Sequence, residues 1–350
     1  MATLTETAYY SRKTIKFGII ALVVLFVLKI IFSYTVSAWK KFFPPPPPPP
    51  TVAFGKLPPI KFPSPANNGA LTYTLETIEG QPPATSSTGM VFFITKAEPN
   101  LLSLNRAKQV AGKLGFAGEP QAENQTLYRW QDTNNPYRIL RYDIVTHNFK
   151  ITYDFAQDLG LFNSKNLPSE NQAMSEAVNF LQNIGLYSPE LQNSQPYTSF
   201  WRLSGNTLVT TTSLAGADAV RVDFNKQNVW GLKLMPSKPP YQSVYLIFSG
   251  SQDAAKHTLE ASFTNWDIQS DQVATYPLKS SALAWQELKN NDGYIAHIAD
   301  NTQKVVVRKI YLAYYYADDY ESYLQPIFVF EGDPNFIGYI PAIDPKWTGQ

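Results

Sequence analysis

The fold of this chain is decided by the stretch VVVRKIYLAYYYADDYESYLQPIFVF, residues 305–330. Its β-branched and aromatic residues predict a strand from Val305 to Tyr316 with apolar residues on both faces. Such a strand either lies in the middle of a sheet that is covered on both sides or presents one face to a partner. The acidic segment ADDYES (317–322) is typical of a solvated turn, and YLQPIFVF (323–330) predicts the returning strand of a hairpin.

Tyrosine residues are concentrated in this hairpin, and two interpretations of them stay open. As core residues they would fill the space between the sheet and the layers that cover it. As exposed residues they would form the best interaction surface of the chain, because tyrosine is favoured at protein interfaces. The candidate interaction face comprises Tyr311, Tyr314, Tyr316, Tyr320 and Tyr323.

Three helical patterns, each opened by a serine and closed by a glycine, are spread along the chain. They are SLNRAKQVAGKLGF (103–116), SENQAMSEAVNFLQNIGL (169–186) and SSALAWQELKNNDGYI (280–295). Serine is a good N-cap and glycine a common helix stop, and strand-like runs follow each helix. The repeated unit of one helix and one antiparallel meander predicts the α+β class, with two or three such modules. We place the modules at 67–158, 159–240 and 241–350.

The apolar run FGIIALVVLFVLKIIFSYTVSA (17–38) predicts a single transmembrane helix over 15–39. Its length matches the roughly 20 residues that a helix needs to cross a bilayer, and Lys29 is its only charge. A cleaved signal peptide, with Val36-Ser37-Ala38 at the peptidase site, and a buried globular helix are the alternatives. Basic residues flank both ends, with a slight excess before the helix. We therefore expect a single-pass protein of the cell membrane, with a cytoplasmic tail (1–14), the lipid bilayer as a partner and an extracytoplasmic C-terminal body.

Seven consecutive prolines, Pro44–Pro50, lie within a proline-rich segment that we place at 40–66. A polyproline II helix rises about 3.1 Å per residue, so seven prolines span roughly 22 Å. The segment predicts a stiff stalk that holds the body away from the lipid surface. A ligand for an SH3-type domain is the alternative interpretation.

Charge and cysteine content exclude several classes of function. The net charge is +1, but residues 1–50 hold six basic groups and one acidic group, which leaves 23 basic and 27 acidic groups in the rest of the chain. A mildly acidic body argues against a nucleic-acid partner. The chain has no cysteine, so disulfides, zinc–thiolate sites, iron–sulfur clusters and thiol nucleophiles are excluded.

Motifs for catalysis are missing from the sequence. His147, His257 and His297 are far apart and do not have the spacing of metal ligands. There is no Gly-x-Ser-x-Gly elbow and no phosphate-binding Gly-x4-Gly-Lys loop. The acidic segments ADDYES (317–322) and FEGD (330–333) are interpreted as solvated turns rather than as catalytic or cation-binding carboxylates. We therefore predict no enzyme activity, no cofactor and no metal.

The helix with a Leu-Gly or Ile-Gly stop, the meander after it and the strand YLQPIFVFEGD (323–333) resemble the PepSY-like modules of bacterial envelope proteins. With an N-terminal anchor, the chain is similar to YycH/YycI-type accessory proteins, although the proline stalk and a third module depart from that pattern. The resemblance implies regulation of a membrane sensor kinase from outside the cell. We predict a non-catalytic, membrane-tethered binding or regulatory protein with a protein partner in the same membrane or envelope. A structural envelope scaffold and an enzyme acting on a wall polymer are the alternatives.

Overall fold

The chain forms two compact units, Met1–Pro49 and Pro50–Gln350. The computed structural model describes residues 22, 25–26, 28–30, 32, 49–64, 71–158 and 160–349. In the first unit the described residues between Leu22 and Phe32 are helical and exposed. The second unit contains the sheets and the core.

The predicted transmembrane helix over 15–39 is not supported. Within the part of the chain that the structure describes, no helix is long and apolar enough to cross a membrane. The predicted single-pass localisation in the cell membrane is therefore corrected as well. The predicted tail (1–14) and residues 40–48 and 65–66 of the predicted stalk (40–66) lie outside the described residues, whereas 49–64 are described.

Strands make up most of the regular structure of the second unit. The earlier strands are β1 (Thr72–Leu75), β2 (Thr88–Thr95), β3 (Gln121–Ala122), β4 (Leu127–Gln131), β5 (Arg138–Asp143), β6 (Phe149–Tyr153), β7 (Tyr197–Ser204), β8 (Thr207–Thr211) and β9 (Ala219–Asp223). The later strands are β10 (Leu234–Pro236), β11 (Tyr245–Ser249), β12 (Thr258–Phe263), β13 (Asp267–Pro277), β14 (Tyr294–His297), β15 (Lys304–Tyr316), β16 (Tyr323–Leu324), β17 (Pro326–Asp333) and β18 (Phe336–Pro341). The helices are α1 (Ser103–Lys113), α2 (Glu170–Asn183), α3 (Pro189–Gln192), α4 (Ala254–His257) and α5 (Ser281–Lys289).

Nine strands form an antiparallel sheet in the order β3-β4-β5-β6-β12-β11-β9-β7-β8. Helices α1 and α2 cover one face of it. Their contact residues are small, with Ala107 and Ala111 on α1 and Ala173 and Ala177 on α2 fully buried. Small side chains let the helices approach the large apolar residues of the sheet, such as Trp130. Side chains alternate between the two faces of a strand, so the polar residues of the same strands lie on the other face, which α1 and α2 do not cover.

The hairpin predicted from residues 305–330 is confirmed, but its returning strand begins at Pro326, because Tyr323 and Leu324 pair with β2 in another sheet. The hairpin lies at the centre of a second sheet. Strands β15 and β17 pair antiparallel, β1 and β10 pair parallel with β15 on its other side, and β18 and β14 complete the sheet. Strand β15 is buried on both faces at its end, where Ala313, Tyr314, Tyr315 and Tyr316 are each less than 5% exposed. Helix α5 packs on this sheet, and a three-stranded sheet, β13-β2-β16, lies beside it.

The predicted α+β class with repeated helix-plus-meander modules is wrong. Strands predominate over helices, and the meanders pair with one another rather than closing separate modules. Strand β6 pairs with β12, β12 with β11 and β11 with β9, so one sheet includes strands from 67–158, 159–240 and 241–350. A sheet edge left open by one meander is satisfied by the strand of another, because unpaired backbone groups are costly when buried.

The three predicted helices themselves are confirmed as α1, α2 and α5. Gly115 and Gly185 follow α1 and α2 with positive φ angles of 83° and 77°, as a helix stop requires. After α5, Asn291 adopts the left-handed conformation instead, with φ of 62°. Gly293 has a packing role, because a Cβ atom there would lie 2.8 Å from Ile340 Cδ1.

Candidate functional site

Two tyrosines of the predicted interaction face lie in the core. Tyr314 and Tyr316 are 1% and 3% exposed. Tyr314 packs edge-to-face on Phe92, with ring centroids 5.6 Å apart. The Tyr316 hydroxyl accepts a hydrogen bond of 2.7 Å from the backbone N–H of Trp266. These two side chains therefore occupy positions that fit the core interpretation rather than an exposed face.

The other three tyrosines are half-buried and belong to different clusters. The Tyr311 hydroxyl donates to Glu331 at 2.6 Å, and the Tyr320 hydroxyl donates to the carbonyl oxygen of Ile94 at 2.9 Å. Tyr323 packs against the core between α5 and the six-stranded sheet. The structure does not bring the five tyrosines together on one surface.

A cleft of about 600 Å³ lies over the face of the nine-stranded sheet that α1 and α2 leave uncovered. Side chains of β5, β6, β9, β11 and β12 form its floor. Its opposite wall includes Lys96, directly after β2, and the segment 318–320 after β15. The charged residues that line the cleft are Lys96, Arg141, Asp143, Lys150, Arg221, Lys238, Asp318 and Asp319.

Three basic side chains are direct cross-strand neighbours on this face. Arg129 on β4 pairs with Arg141 on β5, which pairs with Lys150 on β6. Lys150 then pairs with Ser262 on β12, and Ser262 with Tyr245 on β11. Adjacent strands lie about 4.7–4.9 Å apart, so the basic row of Arg129, Arg141 and Lys150 spans about 10 Å at the backbone. Like charges directly opposite each other are unfavourable in a sheet, so the stability of the sheet does not explain this row.

Two carboxylates beside the basic row pair with it. Arg141 Nε lies 2.9 Å from Glu123 Oε1, and Lys150 Nζ lies 2.7 Å from Glu260 Oε1. The Arg141 and Lys150 side chains are 48% and 51% exposed, so each pair contributes only about 0–1 kcal/mol to stability. A guanidinium group has five N–H donors and an ammonium group three. Both side chains therefore retain the capacity to bind an anion.

Arg221 anchors the floor of the cleft. Its guanidinium group forms two hydrogen bonds of 2.8 Å with Asp223, which is fully buried. The backbone N–H of Gln242 donates to the same carboxylate at 2.8 Å. A buried ion pair of this kind is held by its additional hydrogen bonds, because the two charges have lost their water. The pair fixes the loop at 241–242 against β9.

Tyr241 and Tyr245 lie against Arg221 and form what we call the tyrosine platform. The Arg221 Cζ atom is 4.8 Å from the ring centroid of Tyr241 and 3.6 Å from that of Tyr245, so both rings form cation–π contacts. The Tyr245 hydroxyl donates to Glu260 Oε1 at 2.5 Å. Burial, followed by the nearby Glu260 charge, raises the pKa of Tyr245, so the residue stays neutral and donating. Glu260 thus connects the tyrosine platform to the basic row.

The opposite wall carries both charges and aromatic rings. The Lys96 ammonium group lies 5.1 Å from the centroid of the Tyr320 ring, and Trp266 packs on Tyr320 with centroids 5.7 Å apart. The Ser243 hydroxyl donates to Asp318 at 3.3 Å, which connects the loop before β11 to this wall. Rings, hydroxyls and charges of both signs therefore face the same cavity.

Asp143 is one of the three carboxylates that line the cleft. Asp143 accepts hydrogen bonds from the Thr126 hydroxyl at 2.7 Å and from the backbone N–H groups of Val145 and Thr146 at 2.9 Å each, which fixes the turn after β5. Across the residues that the structure describes, no group of three or more His, Cys, Asp or Glu side chains could hold a metal ion. The arrangement is suited to binding.

The histidines lie apart from this cleft. His147 Nδ1 is 2.9 Å from the Tyr142 hydroxyl at the turn after β5. His257 Nε2 is 2.8 Å from Glu176 on α2, beside a second and more open cavity of about 610 Å³. His297 ends β14, where burial lowers the pKa of its ring. Each histidine has a separate environment.

The cleft was not predicted from the sequence, although the sequence contains a local signal of it. In RILRYD (138–143) and FKITY (149–153), Arg141 and Lys150 occupy the polar positions of alternating strands. That pattern is typical of an ordinary solvated face. What distinguishes these residues is their register across β4, β5 and β6, which local sequence does not encode. In AVRVD (219–223), two charges inside an apolar strand were the stronger signal of a buried ion pair.

Lys226→Met is expected to raise the melting temperature at pH 7. The Lys226 ammonium group lies 4.8 Å from the centroid of the Tyr316 ring and donates to Asn265 at 2.7 Å. Burial lowers its pKa from 10.5 to about 8, against the weaker raising effect of Glu190. The unfolded chain therefore binds more protons between these values, and the charged lysine costs stability below pH 8. The advantage of the variant should shrink as the pH rises from about 8 to about 10.5.

Melting curves at pH 7 and at pH 9.5 would test this expectation. Lys304→Met, at an exposed position of β15, is the matched control and should change little at either pH. Equal melting temperatures of wild type and Lys226→Met at pH 7 would contradict a destabilising charge at this position.

Comparison with known proteins adds little. No family model and no curated protein matches the chain. Among solved structures, an uncharacterized protein from Eubacterium rectale ATCC 33656 is similar at 12% sequence identity, with a TM-score of 0.37, over 73% of this chain and 82% of that one. A likeness at this TM-score carries no argument about function. The resemblance to YycH/YycI-type proteins, and the regulatory role and protein partner inferred with it, stay predictions.

Proposed function

We propose that this protein is a non-catalytic binding protein that captures an anionic ligand in the cleft over the nine-stranded sheet. The observation that carries the proposal is that Arg141 and Lys150 stand side by side in the lining of the cleft, with Arg129 as the next member of the basic row, outside that lining. Three adjacent cations on an uncovered sheet face are unfavourable for the fold by themselves. Glu123 and Glu260 neutralise part of this charge, and a ligand with negative charge would reduce the repulsion that remains.

The geometry of the row favours binding because its side chains extend from strands. Strand positions are held by the sheet, so less freedom is lost when the ligand binds than with a mobile loop. The ion pairs of Arg141 and Lys150 with Glu123 and Glu260 are half-exposed and contribute only about 0–1 kcal/mol each, so little stability is lost when a ligand replaces them. An incoming carboxylate, phosphate or sulfate could therefore compete with those carboxylates for Arg141 and Lys150.

The carboxylates of the cleft support binding rather than catalysis. Asp143 is engaged by the turn after β5, and Asp318 accepts from Ser243. Acid–base work on a polymer requires two carboxylates held in a defined geometry around the bond to be cleaved. Here the acidic side chains hold turns and connect the walls of the cleft.

The double variant Arg141→Gln/Lys150→Gln is expected to weaken anion binding about tenfold or more. The loss of two charge-assisted contacts exceeds the roughly 1.4 kcal/mol that corresponds to a factor of ten. Fluorescence anisotropy with three labelled probes would measure it: tetragalacturonate, tetrapolyphosphate and dextran sulfate. We expect at least one probe to bind the wild type, with an affinity that falls as salt is added.

The control for this experiment is Arg202→Gln/Lys309→Gln, which removes the same charge from exposed positions outside the cleft. Arg202 belongs to β7 of the same sheet but lies outside the cleft lining, and Lys309 lies on β15. The control should bind as the wild type does. If none of the three anions binds the wild type, or if both double variants lose affinity equally, the proposed function is wrong.

A further inference from the structure

We infer that the cleft takes an acidic oligosaccharide, with the anionic groups on the basic row and a sugar ring on the tyrosine platform. This inference rests on the proposed function and specifies the chemical class of the ligand. It depends on three features of the cleft beyond the basic row: the aromatic rings at one end, the neutral hydrogen-bonding groups of the lining, and the carboxylates of the opposite wall.

The tyrosine platform fits a ring-shaped group. Tyr241 and Tyr245 line the cleft together with Arg221, whose guanidinium group contacts both rings at cation–π distances, and Trp201 packs on Tyr241 with ring centroids 5.1 Å apart. The rings are thus fixed before the ligand arrives. A tyrosine ring offers a large, rigid and amphipathic contact with few rotatable bonds. The C–H faces of a sugar and the plane of a nucleobase both match such a surface.

The distance between the platform and the basic row sets the size of the ligand. Tyr245 on β11 is separated from Lys150 on β6 by β12, and Arg141 lies one strand further. Adjacent strands are about 4.8 Å apart, so these anchors lie about 10 Å and about 14 Å from the platform at the backbone. A single small anion cannot reach both ends. A ligand of two or more linked rings can.

Neutral hydrogen-bonding groups are frequent in the lining of the cleft, and one of them, Ser262 on β12, lies between Tyr245 and Lys150. The hydroxyl and amide side chains that line the cleft are Asn124, Thr126, Thr146, Asn148, Gln242, Ser243, Ser262 and Thr264. Hydroxyl groups both donate and accept, and amides do so through separate atoms. This surface matches the many hydroxyls of a carbohydrate better than it matches an apolar chain.

The carboxylates of the opposite wall favour a sugar ligand over a polyanion that is charged along its whole length. Asp318 and Asp319 line the cleft across from the basic row. A nucleic acid or polyphosphate, charged along its whole length, is repelled where it passes these two carboxylates, although Lys96 on the same wall offsets part of their charge. The hydroxyls of an oligosaccharide can donate to a carboxylate, in a charge-assisted hydrogen bond. An acidic sugar therefore fits both walls.

The direction in which Asp319→Ala changes the affinity for each probe tests whether the ligand is an acidic sugar. Asp319 is exposed, so Asp319→Ala should leave the fold intact. For tetragalacturonate, the loss of an acceptor for sugar hydroxyls should weaken binding about threefold to tenfold. For tetrapolyphosphate, the same substitution removes repulsion and should strengthen whatever binding there is. Asp271→Ala, at an exposed position on β13 outside the cleft, is the matched control.

Substitutions of Tyr241 test whether a sugar ring stacks on the tyrosine platform. Tyr241→Ala should weaken tetragalacturonate binding about tenfold, whereas Tyr241→Phe keeps the ring and should bind nearly as the wild type does. Melting curves of both variants show whether any loss comes from unfolding, and Tyr241→Phe gives a result even if Tyr241→Ala unfolds. A loss of binding in Tyr241→Phe as large as in Tyr241→Ala would contradict stacking.

The probes distinguish the failure of this inference from that of the proposed function. Preference for tetragalacturonate over tetrapolyphosphate, over neutral maltotetraose and over an oligothymidylate of similar length supports an acidic sugar. If tetrapolyphosphate or the oligothymidylate binds the wild type as tightly as tetragalacturonate does, or if Asp319→Ala does not weaken tetragalacturonate binding, this inference falls and the proposed function stands. If neutral maltotetraose binds as tightly as tetragalacturonate, the ligand is a sugar that does not need to be acidic. If none of the anions binds, the proposed function falls with it.

Discussion

Asp223→Ala is expected to lower the free energy of unfolding by about 3–5 kcal/mol, among the largest effects of any single substitution near the cleft. Asp223 is fully buried, and Arg221, its partner, is 6% exposed. Removing the carboxylate leaves the guanidinium group without a counter-charge in a place that water does not reach. The backbone N–H of Gln242 loses its acceptor at the same time. Both losses occur at one point of the floor.

Urea unfolding followed by circular dichroism would measure this loss. Asp271→Ala, on an exposed part of β13, is the matched control and should change stability by no more than about 0.5 kcal/mol. Asp223→Asn should lower the free energy of unfolding by less than Asp223→Ala but by more than Asp271→Ala, because the amide keeps an acceptor but not the charge. A loss below about 1 kcal/mol for Asp223→Ala would show that Arg221 is solvated in solution and that the floor of the cleft is not fixed as described.

The fixed floor connects the stability of the sheet to the binding of a ligand. Arg221 is held by Asp223 and in turn supports Tyr241 and Tyr245. Arg141 and Lys150, by contrast, are half-exposed and contribute little to stability. The cleft therefore combines a rigid end, where substitutions unfold the protein, with an adaptable end, where substitutions change affinity alone. This difference is what makes the two kinds of variant separable by experiment.

Local sequence was sufficient for the helices and for the central hairpin. Helix α2 begins at a serine that forms a capping box with Gln172 and ends before Gly185, so the signals at both ends are those of the isolated helix. Strands β15 and β17 are neighbours in sequence, and the polar turn between them marks their pairing. Short-range chemistry determines both features.

Long-range pairing is where sequence reasoning failed. Strand β6 ends at Tyr153 and its partner β12 begins at Thr258, so more than a hundred residues separate two strands that lie side by side. Each meander has the same alternating pattern, so any of them could satisfy the edge of another. The pattern therefore predicted closed modules where the chain builds one wide sheet. The basic row was hidden for the same reason, because its members become neighbours only through that pairing.

The tyrosines show the limit of composition as a guide to surfaces. A run such as YLAYYY (311–316) is equally typical of an interface and of a strand covered on both sides. The parallel strands β1 and β10 and the neighbouring three-stranded sheet decide the matter, and these come from distant parts of the chain. Tyr314 is enclosed as a result, whereas Tyr320, beyond the strand, lines the cleft. The two residues should therefore respond differently to substitution.

Tyr314→Ala is expected to destabilise the protein by about 3–5 kcal/mol, the range for truncating a buried aromatic ring to alanine. The ring is 1% exposed and packs on Phe92, so its removal leaves a cavity that the surrounding sheets cannot fill. Tyr320→Ala should cost only about 1 kcal/mol, mainly for the hydrogen bond to the Ile94 carbonyl. It should nevertheless weaken tetragalacturonate binding, because Tyr320 lines the cleft.

Urea unfolding and fluorescence anisotropy on the same two variants would separate the roles. Tyr314→Ala should lose stability but, at temperatures where it is folded, should bind the ligand as the wild type does. Tyr320→Ala should keep most of its stability and lose affinity. If Tyr314→Ala melts as the wild type does and loses affinity for a partner, the tyrosine is exposed in solution and the candidate interaction face regains Tyr314. If Tyr320→Ala binds normally, the wall after β15 does not touch the ligand, and the ligand is held by the floor of the sheet alone.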